Sequence, residues 1–264
     1  MPPLISVEDV TKVFAGGART VNALEHVSFE IEAGNFVAIV GPSGCGKSTL
    51  LKILSGLLPA SSGALSVNGK RVDSPLENVG MVFQAPVLLK WRSVLGNILL
   101  PVEFAKLDVA RHVDRARALI KLVGLESFEE MYPHELSGGM QQRVSLCRAL
   151  VTDPQLMLMD EPFGALDAMT RDELDIELLR IWEERKKTVL FVTHSIQEAV
   201  FLSDIVFVMS ARPGRLVEKL AIDLPRPRTM EMMSSEKFGA YTLKIRGQLA
   251  TAGGTPGAAV GSTM

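Results

Sequence analysis

A run of five apolar residues, 36–40, leads directly into a glycine-rich loop, and this junction constrains the fold more than any other feature of the sequence. An unbroken apolar run of this length is typical of a strand buried on both faces of a parallel sheet. Residues 41–49 then read Gly-Pro-Ser-Gly-Cys-Gly-Lys-Ser-Thr, and a short helical pattern follows. A strand, such a loop and a helix in this order predict an α/β fold with an anion site at the helix N-terminus.

The loop at residues 41–49 matches the phosphate-binding P-loop pattern. Its glycines let backbone N–H groups converge on a β-phosphate, Lys47 brings positive charge to the β- and γ-phosphates, and the hydroxyl of Ser48 can ligate Mg²⁺. An ordinary glycine-rich turn is the alternative, but the buried strand before the loop favours the P-loop. The predicted nucleotide-binding residues here are Gly41, Pro42, Ser43, Gly44, Cys45, Gly46, Lys47, Ser48 and Thr49.

Strand and helix patterns alternate after this loop. Apolar runs at residues 156–159, 189–193 and 205–209 predict three further buried strands, and residues 86–150 are mostly helical in pattern. Alternating apolar and polar residues near positions 29 and 65 predict other strands, the second followed by an Asn-Gly hairpin turn. The sequence therefore predicts a doubly wound, mostly parallel α/β core with two side lobes.

Capping residues mark the starts of several predicted helices. Asp108 and Ser137 are each placed to cap a helix in the middle of the chain. A long amphipathic helix is predicted over residues 165–187. Ser195 and Glu198 have the spacing of a capping box, in which each side chain bonds the other residue's backbone N–H.

The composition limits the class of protein. Hydrophobic residues make up 47% of the 264 residues and the net charge is −2, so a sizeable core is expected and nucleic-acid binding is not. A membrane-spanning helix needs about 20 mostly apolar residues, and neither such a run nor an export leader is found. Cys45 and Cys147 are expected to be reduced thiols. Residues 247–264, rich in Gly, Ala and Thr, are predicted to be disordered.

Two carboxylates follow the apolar run at residues 156–159. Because ligands bind at the carboxyl ends of parallel strands, Asp160 is expected to partner Mg²⁺ through a bound water or from outside the ring of its direct ligands. Glu161 is placed to polarise an attacking water as general base. A pair of solvated loop acids is the alternative, which the apolar strand before the pair and Pro162 after it make weaker.

A second phosphate-like turn, formed by Leu136, Ser137, Gly138 and Gly139, precedes this strand. Its hydroxyl and the N–H groups at a helix start suit a γ-phosphate, although an ordinary helix cap has a similar local sequence. A Gln-Gln-Arg sequence close behind it favours the phosphate-binding interpretation. One subunit has no use for two such turns on one ATP, so the pattern predicts two active sites shared between two subunits.

The P-loop, the Leu-Ser-Gly-Gly-Met-Gln-Gln-Arg sequence and the Asp-Glu pair together resemble the ABC-type ATPases over residues 4–220. The resemblance implies a P-loop NTPase of ABC type, whose sheet core carries an antiparallel β subdomain and a helical subdomain. The implied ligands are ATP and Mg²⁺. The implied ABC ATPase domain is 4–246: residues 4–85 and 151–220 form the ATP-binding core with the β subdomain, 86–150 the helical signature subdomain, and 221–246 a C-terminal extension.

Four more residues match motifs of this family in order. Phe14 lies where these ATPases place an aromatic that stacks on adenine, although a core residue of a strand fits its position equally. Gln84 resembles the Q-loop glutamine, which contacts Mg²⁺ or the lytic water. Asp167 ends an Ala-Leu-Asp sequence like the D-loop, which runs along the dimer seam, and His194 resembles the switch histidine that hydrogen-bonds the γ-phosphate. The implied catalytic residues are Glu161, His194, Gln84 and Lys47.

The resemblance also implies partners. In the family, the surface around the Q-loop receives a helix from separate membrane subunits. In this chain that surface is residues 84–97, and Leu89 and Trp91 are docking residues unless both pack inside the helical lobe. A second copy of the chain, a transmembrane permease and, indirectly, a periplasmic or lipid-anchored solute-binding protein are implied, at the cytoplasmic face of the bacterial inner membrane.

Three local segments, Leu-Leu-Lys-Trp-Arg-Ser-Val, Met-Ser-Ala-Arg-Pro-Gly-Arg and Leu-Pro-Arg-Pro-Arg, look like the ATPases of bacterial nitrate, sulfonate and taurine importers. The implied function is ATP hydrolysis that powers uptake of a small solute. The alternatives are an exporter subunit and a soluble ABC ATPase acting on nucleic acid or ribosomes. A non-enzymatic regulator is expected to lack Glu161 or His194, and a P-loop kinase or GTPase has no use for the second turn.

Overall fold

The computed structural model describes residues 2–16, 19–164 and 166–252 of the chain. The strands are β1 (Ile5–Gly16), β2 (Arg19–Ile31), β3 (Phe36–Val40), β4 (Ser62–Val67), β5 (Lys70–Arg71), β6 (Val79–Val82), β7 (Leu156–Asp160), β8 (Thr188–Val192), β9 (Ile205–Met209) and β10 (Leu216–Ala221). The helices are α1 (Lys47–Leu54), α2 (Val94–Phe104), α3 (Val109–Leu122), α4 (Gly138–Leu150), α5 (Ala168–Arg185), α6 (Ile196–Leu202) and α7 (Glu236–Ala252).

The main sheet has six strands in the order β10-β9-β3-β8-β7-β6. Its strands run parallel except for β10, which pairs antiparallel with β9. The four buried apolar runs of the sequence form β3, β7, β8 and β9, so their prediction as buried strands is confirmed. In register, Asp160 lies beside Val192, and Val192 lies beside Ile39, so the carboxyl ends of β7, β8 and β3 meet at one edge.

Both faces of this sheet are covered, which explains why its strands are apolar throughout. Ala38 and Val40 of β3 face a core built with the helices α2 to α7, whereas Val37 and Ile39 face a second core. That second core contains α1 and the antiparallel sheet β2-β1-β4-β5. Asn68 and Gly69, both at positive φ, close the β4–β5 hairpin as predicted.

The helix caps lie where the sequence placed them, with one shift. The side chains of Asp108 and Ser137 accept backbone hydrogen bonds at the starts of α3 and α4. Helix α5 begins at Ala168 and not at residue 165, because Asp167 caps it by accepting from the N–H of Thr170. Leu166 and Asp167 therefore lie outside the helix.

The C-terminal extension is more ordered than the sequence predicted. Helix α7 continues through Gly247 to Ala252, so disorder from residue 247 onward was wrong for these first residues. Leu249 packs against the larger core. This tertiary contact stabilises the end of α7, and the local composition does not predict it. Residues 253–264 of the predicted tail lie outside the described residues. Within the described part of the chain, no helix has the length and apolarity needed to cross a bilayer.

The Leu-Pro-Arg-Pro-Arg segment forms a strap across the end of α6. Arg228 is buried and donates to the carbonyls of Val200, Phe201 and Ser203. Burial lowers the pKa of Arg228 to about 10, so the guanidinium stays charged at neutral pH. These bonds satisfy carbonyl groups that the end of a helix otherwise leaves without partners.

We expect Arg228→Met to lower the free energy of unfolding by about 2–4 kcal/mol, because several buried carbonyls lose their donor. Urea denaturation followed by circular dichroism measures this change. The control is Arg180→Met, which removes an exposed ion pair with Glu177 and is expected to cost less than about 0.5 kcal/mol. Equal losses in the two variants would contradict the assignment of the strap.

Candidate active site

The P-loop joins β3 to α1 in a conformation that its glycines alone permit. Gly46 has a φ of 110°, and a Cβ there would lie 2.7 Å from the carbonyl oxygen of Ala23. Helix α1 starts at Lys47, so its N-terminal N–H groups face the loop. Lys47 Nζ donates to the carbonyls of Gly41 at 2.8 Å and Pro42 at 3.1 Å, which places the ammonium inside the loop.

The P-loop is tied to the end of β7 by one hydrogen bond. Ser48 Oγ donates to Asp160 Oδ1 at 2.9 Å. Desolvation by burial raises the pKa of Asp160, and the charge of Glu161 raises it further, while the bond from Ser48 opposes both. The hydroxyl of Ser48 and the carboxylate of Asp160 therefore lie side by side next to the P-loop.

Three predicted catalytic residues meet next to Asp160: Glu161, which follows it in the chain, Gln84 and His194. Glu161 has a φ of 47°, and its N–H donates to the carbonyl of Val192 at 2.9 Å. Its Oε2 accepts from Gln84 Nε2 at 3.1 Å and lies 3.5 Å from His194 Nδ1. A left-handed conformation at a residue other than glycine is a strained state that often marks a functional site.

The second turn makes its contacts elsewhere. Ser137 Oγ accepts from the N–H of Met140 and caps α4, and a Cβ on Gly138 would meet no other described atom within 4 Å. Gly139 contacts the Leu166 side chain, whose Cδ2 would lie 3.0 Å from a Cβ at that position. Among the hydrogen bonds between described residues, none joins this turn to the P-loop of the same chain.

The remaining predicted residues lie apart from this cluster. Phe14 is on β1 and 41% exposed, so it is not a core residue, and Lys12 Nζ lies 5.1 Å from its ring centroid. Asp167 is exposed and bonds Thr170 through both its carboxylate oxygens. Those bonds, first the one from the backbone N–H of Thr170, lower the pKa of Asp167.

Two contacts of the site were missed from the sequence. Arg212 donates to the carbonyl of Gly44 at 2.9 Å and so braces the P-loop from outside. Gln142, buried on α4, donates to the carbonyl of Phe83 at 3.1 Å and holds the backbone just before Gln84. Arg212 and Gln142 both belong to segments that resemble the family. Neither contact was predicted, because every residue has a backbone carbonyl and the sequence does not show which one a side chain will bond.

Comparisons with known proteins agree with this geometry. Residues 24–164 match the ABC transporter family. An uncharacterized ABC transporter ATP-binding protein of Methanocaldococcus jannaschii is 48% identical over 91% of this chain and 89% of its own. An aliphatic sulfonates import ATP-binding protein of Bacillus cereus is 43% identical, covering 94% and 97%. A taurine import ATP-binding protein of Rhizobium johnstonii is 47% identical, covering 84% and 86%.

A solved structure gives the same result. A dimeric ATP-binding cassette, in a post-hydrolysis state with ADP and Pi, matches with a TM-score of 0.77 at 31% identity, over 84% of this chain and all of that one. The chain therefore belongs to the ABC transporter family, and its fold is that of a nucleotide-binding ABC ATPase. The predicted fold class and the predicted family are confirmed.

We expect Asp160→Asn to stabilise the ligand-free protein at pH 8. The carboxyl pKa is raised by folding, so the free energy of unfolding falls as pH rises through the titration of this group, and the neutral amide removes that loss. The expected gain is about 2–4 °C in Tm, equivalent to about 1 kcal/mol in a chain of this size.

Scanning calorimetry with and without Mg-ATP measures both effects of this substitution. The rise in Tm that Mg-ATP gives the wild type should be lost in Asp160→Asn. Asp73→Asn, which alters an exposed ion pair, is the control and should change neither value. An Asp160→Asn protein that is less stable at pH 8 and still stabilised by Mg-ATP would contradict both the raised pKa of Asp160 and its expected role toward Mg²⁺.

Proposed function

We propose that this chain is the ATP-hydrolysing subunit of an importer, and that it powers uptake of a small sulfonate-like or related solute through a separate permease. The observation that carries the proposal is the convergence of Gln84 and His194 on the carboxylate of Glu161, one residue from the Ser48–Asp160 pair. This arrangement combines a base, its orienting groups and a cation site at the mouth of a P-loop.

The oxygen atoms beside the P-loop suit Mg²⁺. Ser48 Oγ and Asp160 Oδ1 are 2.9 Å apart, and the amide oxygen of Gln84 belongs to the same class of hard ligand. Mg²⁺ usually takes one or two protein oxygens together with water and substrate phosphates. When bound, the ion would neutralise charge on the β- and γ-phosphates; Ser48, Asp160 and Gln84 are the residues that would hold it.

Hydrolysis of ATP needs positioning and charge stabilisation more than covalent chemistry. Lys47 and the N–H groups of the P-loop bind the phosphates. Glu161 accepts a proton from the attacking water, and its rigid backbone, bonded to Val192, holds the carboxylate in place. Gln84 orients the same water, and His194 donates to the γ-phosphate.

Two copies of the chain complete the active sites. Ser137 and Gly138 are exposed, and their turn presents N–H groups at the start of α4 with no hydrogen bond, among the described residues, to the P-loop of its own chain. Such a turn suits a γ-phosphate bound to a partner. The dimeric cassette with ADP and Pi supports a homodimer. ATP then closes the pair, and hydrolysis reopens it.

The import direction rests on the relatives. The sulfonates and taurine proteins are both named as import ATP-binding proteins and cover most of this chain. An ATP-binding subunit of an importer works at the cytoplasmic face of the membrane, beside a permease and a solute-binding protein. An exporter subunit, or a soluble ATPase acting on nucleic acid or ribosomes, has less support.

A candidate surface for the permease surrounds the loop 84–97. Trp91 is 74% exposed, whereas Leu89 is half-buried, so the two residues predicted for docking differ. The fully buried side chain of Asn97 accepts from the N–H of Leu89 and donates to the carbonyls of Leu89, Arg92 and Ser93. The loop therefore presents Trp91 from a rigid base.

ATP-dependent dimerisation of Glu161→Gln tests the shared site. This variant should bind Mg-ATP without hydrolysing it and form a dimer, measured by size-exclusion chromatography with light scattering. Adding Ser137→Arg should abolish the dimer, because a long cation fills the phosphate position of the turn. Adding Ser74→Arg, at an exposed position near the opposite ends of the strands, should leave it intact.

A Glu161→Gln protein that stays monomeric with bound Mg-ATP, alone and with its permease, would contradict the shared-site proposal. Dimerisation that survives Ser137→Arg would contradict the role of the second turn alone.

Trp91→Glu tests the docking surface. The substitution should reduce retention of the protein on membranes that contain the co-expressed permease by about tenfold or more, because an exposed aromatic anchor is lost. The ATPase activity of the isolated subunit should not change. Leu243→Glu alters a similarly exposed apolar residue on α7 and should retain membrane binding. Equal retention of all three proteins would place the docking surface elsewhere.

A further inference from the structure

Arg171, in the first turn of α5, connects two loops of the active site. Its Nη2 donates to the carbonyl of Leu166 at 2.9 Å, and its Nε lies 3.3 Å from Glu198 Oε1. Leu166 immediately precedes the capping residue Asp167, and Glu198 is on α6, just after His194. One guanidinium thus joins the segment before α5 to the segment before α6.

Glu198 departs from the capping box that the sequence predicted. Ser195 Oγ accepts from the N–H of Glu198 as expected, but the N–H of Ser195 donates to Thr193 Oγ1 and not to the Glu198 carboxylate. That carboxylate accepts instead from the hydroxyl of Thr193. Glu198 therefore holds the residues on both sides of His194, and its other oxygen faces Arg171.

Two carboxyl groups, those of Glu198 and Asp175, lie near the Arg171 guanidinium, and burial raises the pKa of both. Asp175 is buried on the same side of α5, and burial raises its pKa to about 9, with the charge of Glu198 contributing. Asp175 is therefore protonated at neutral pH. The other titratable neighbours are Asp172, which faces Asp175, and Glu161 and His194, which face Glu198.

The same connection reaches the second phosphate turn. The side chain of Leu166, whose carbonyl Arg171 holds, is buried and contacts Gly139. From Gly139 the contacts run through Leu166, Arg171 and Glu198 to the turn that carries His194. His194 Nδ1 lies 3.5 Å from Glu161 Oε2 at the end of this path.

Stability alone does not account for this ion pair, in which the Glu198 side chain is nearly buried and that of Arg171 is 27% exposed. Removing two charges from water costs several kcal/mol, and apolar residues of similar volume often stabilise a protein equally well. The Arg171 guanidinium does constrain geometry, because its Nη2 donates a hydrogen bond to the Leu166 carbonyl while its Nε stays in ion-pair contact with Glu198. Here the geometry it fixes is the position of the His194 turn relative to the loop before α5.

We propose that Arg171 is a positioning residue that couples the loop ending at Asp167 to His194 through the carboxylate of Glu198. This inference rests on the proposed function, in which two copies of the chain share the active sites and His194 acts on the γ-phosphate, and on the expectation that the loop ending at Asp167 runs along the dimer seam. Closure of the dimer displaces the loop, and the displacement sets His194 for hydrolysis. The pair acts on the chemical step and not on nucleotide binding.

Kinetics of Arg171→Met test the coupling. The variant should lose about tenfold or more in kcat, because a small misplacement of a positioning group is costly, while KM for ATP changes by less than about twofold. Arg115→Met is the matched control: Arg115 has a similar exposure and also contacts one backbone carbonyl and one carboxylate, Leu150 and Asp153. It should retain the wild-type kcat.

Arg171→Met alone leaves the buried carboxylate of Glu198 without its cation, which could impair folding. The double variant Arg171→Met/Glu198→Gln avoids this problem, because it removes both charges. It should lose no more kcat than Arg171→Met alone, since both substitutions break one connection. Hydrogen exchange without nucleotide provides a readout independent of activity. Amides of residues 193–198 should exchange faster in the double variant, and those of β3 should not, because the change is local.

Two results would overturn the coupling: a wild-type kcat in the double variant, or unchanged exchange at residues 193–198. Faster exchange throughout the chain would indicate a structural role only, and would overturn it too. The proposed function fails separately, if the wild type has no Mg-dependent ATPase activity and Glu161→Gln forms no dimer. The exchange experiment uses no nucleotide, so it still decides whether the connection exists.

Discussion

The common register of three buried parallel strands is the constraint on which the rest of the structure depends. Asp160 at the end of β7 lies beside Val192 of β8, and Val192 lies beside Ile39 of β3, from which the P-loop emerges. The N–H of Glu161 then bonds the carbonyl of Val192 across the same edge. A slip of one residue between these strands would turn their side chains to the opposite face and separate the carboxylates from the P-loop.

Two residues in the left-handed region of φ lie at the same edge. Gly46 has a φ of 110° and Glu161 a φ of 47°, one beside the phosphate position and one at the general base. Glycine accepts its conformation without a steric cost, but Glu161 does not, and the packing on both faces of the sheet must hold it there. The apolar strands thus do more than bury surface: their rigidity maintains a carboxylate in a conformation that a looser fold would relax.

The sequence predicted the buried strands and the helix caps, but it did not predict contacts between residues far apart in the chain. Apolar runs gave β3, β7, β8 and β9, and the caps Asp108 and Ser137 gave two helix starts, because each signal lies within a few residues. The ordered end of α7 depends on Leu249 reaching a distant core. The carboxylate of Glu198 accepts from the Thr193 hydroxyl instead of completing its capping box, and its other oxygen faces Arg171 of another helix. Spacing along the chain cannot report such competition between local and tertiary partners.

Two arginines, the buried Arg228 and the partly exposed Arg171, join elements that the strand register alone leaves unconnected. Arg228 anchors the C-terminal extension to the carbonyls at the end of α6, and Arg171 of α5 contacts Glu198 in the first turn of α6. Helix α6 is thereby held at both ends by guanidinium groups from outside it. Because α6 is short and follows His194 directly, both contacts bear on the position of that side chain. A helix held at one end only would leave the histidine turn free to move independently of the loop before α5.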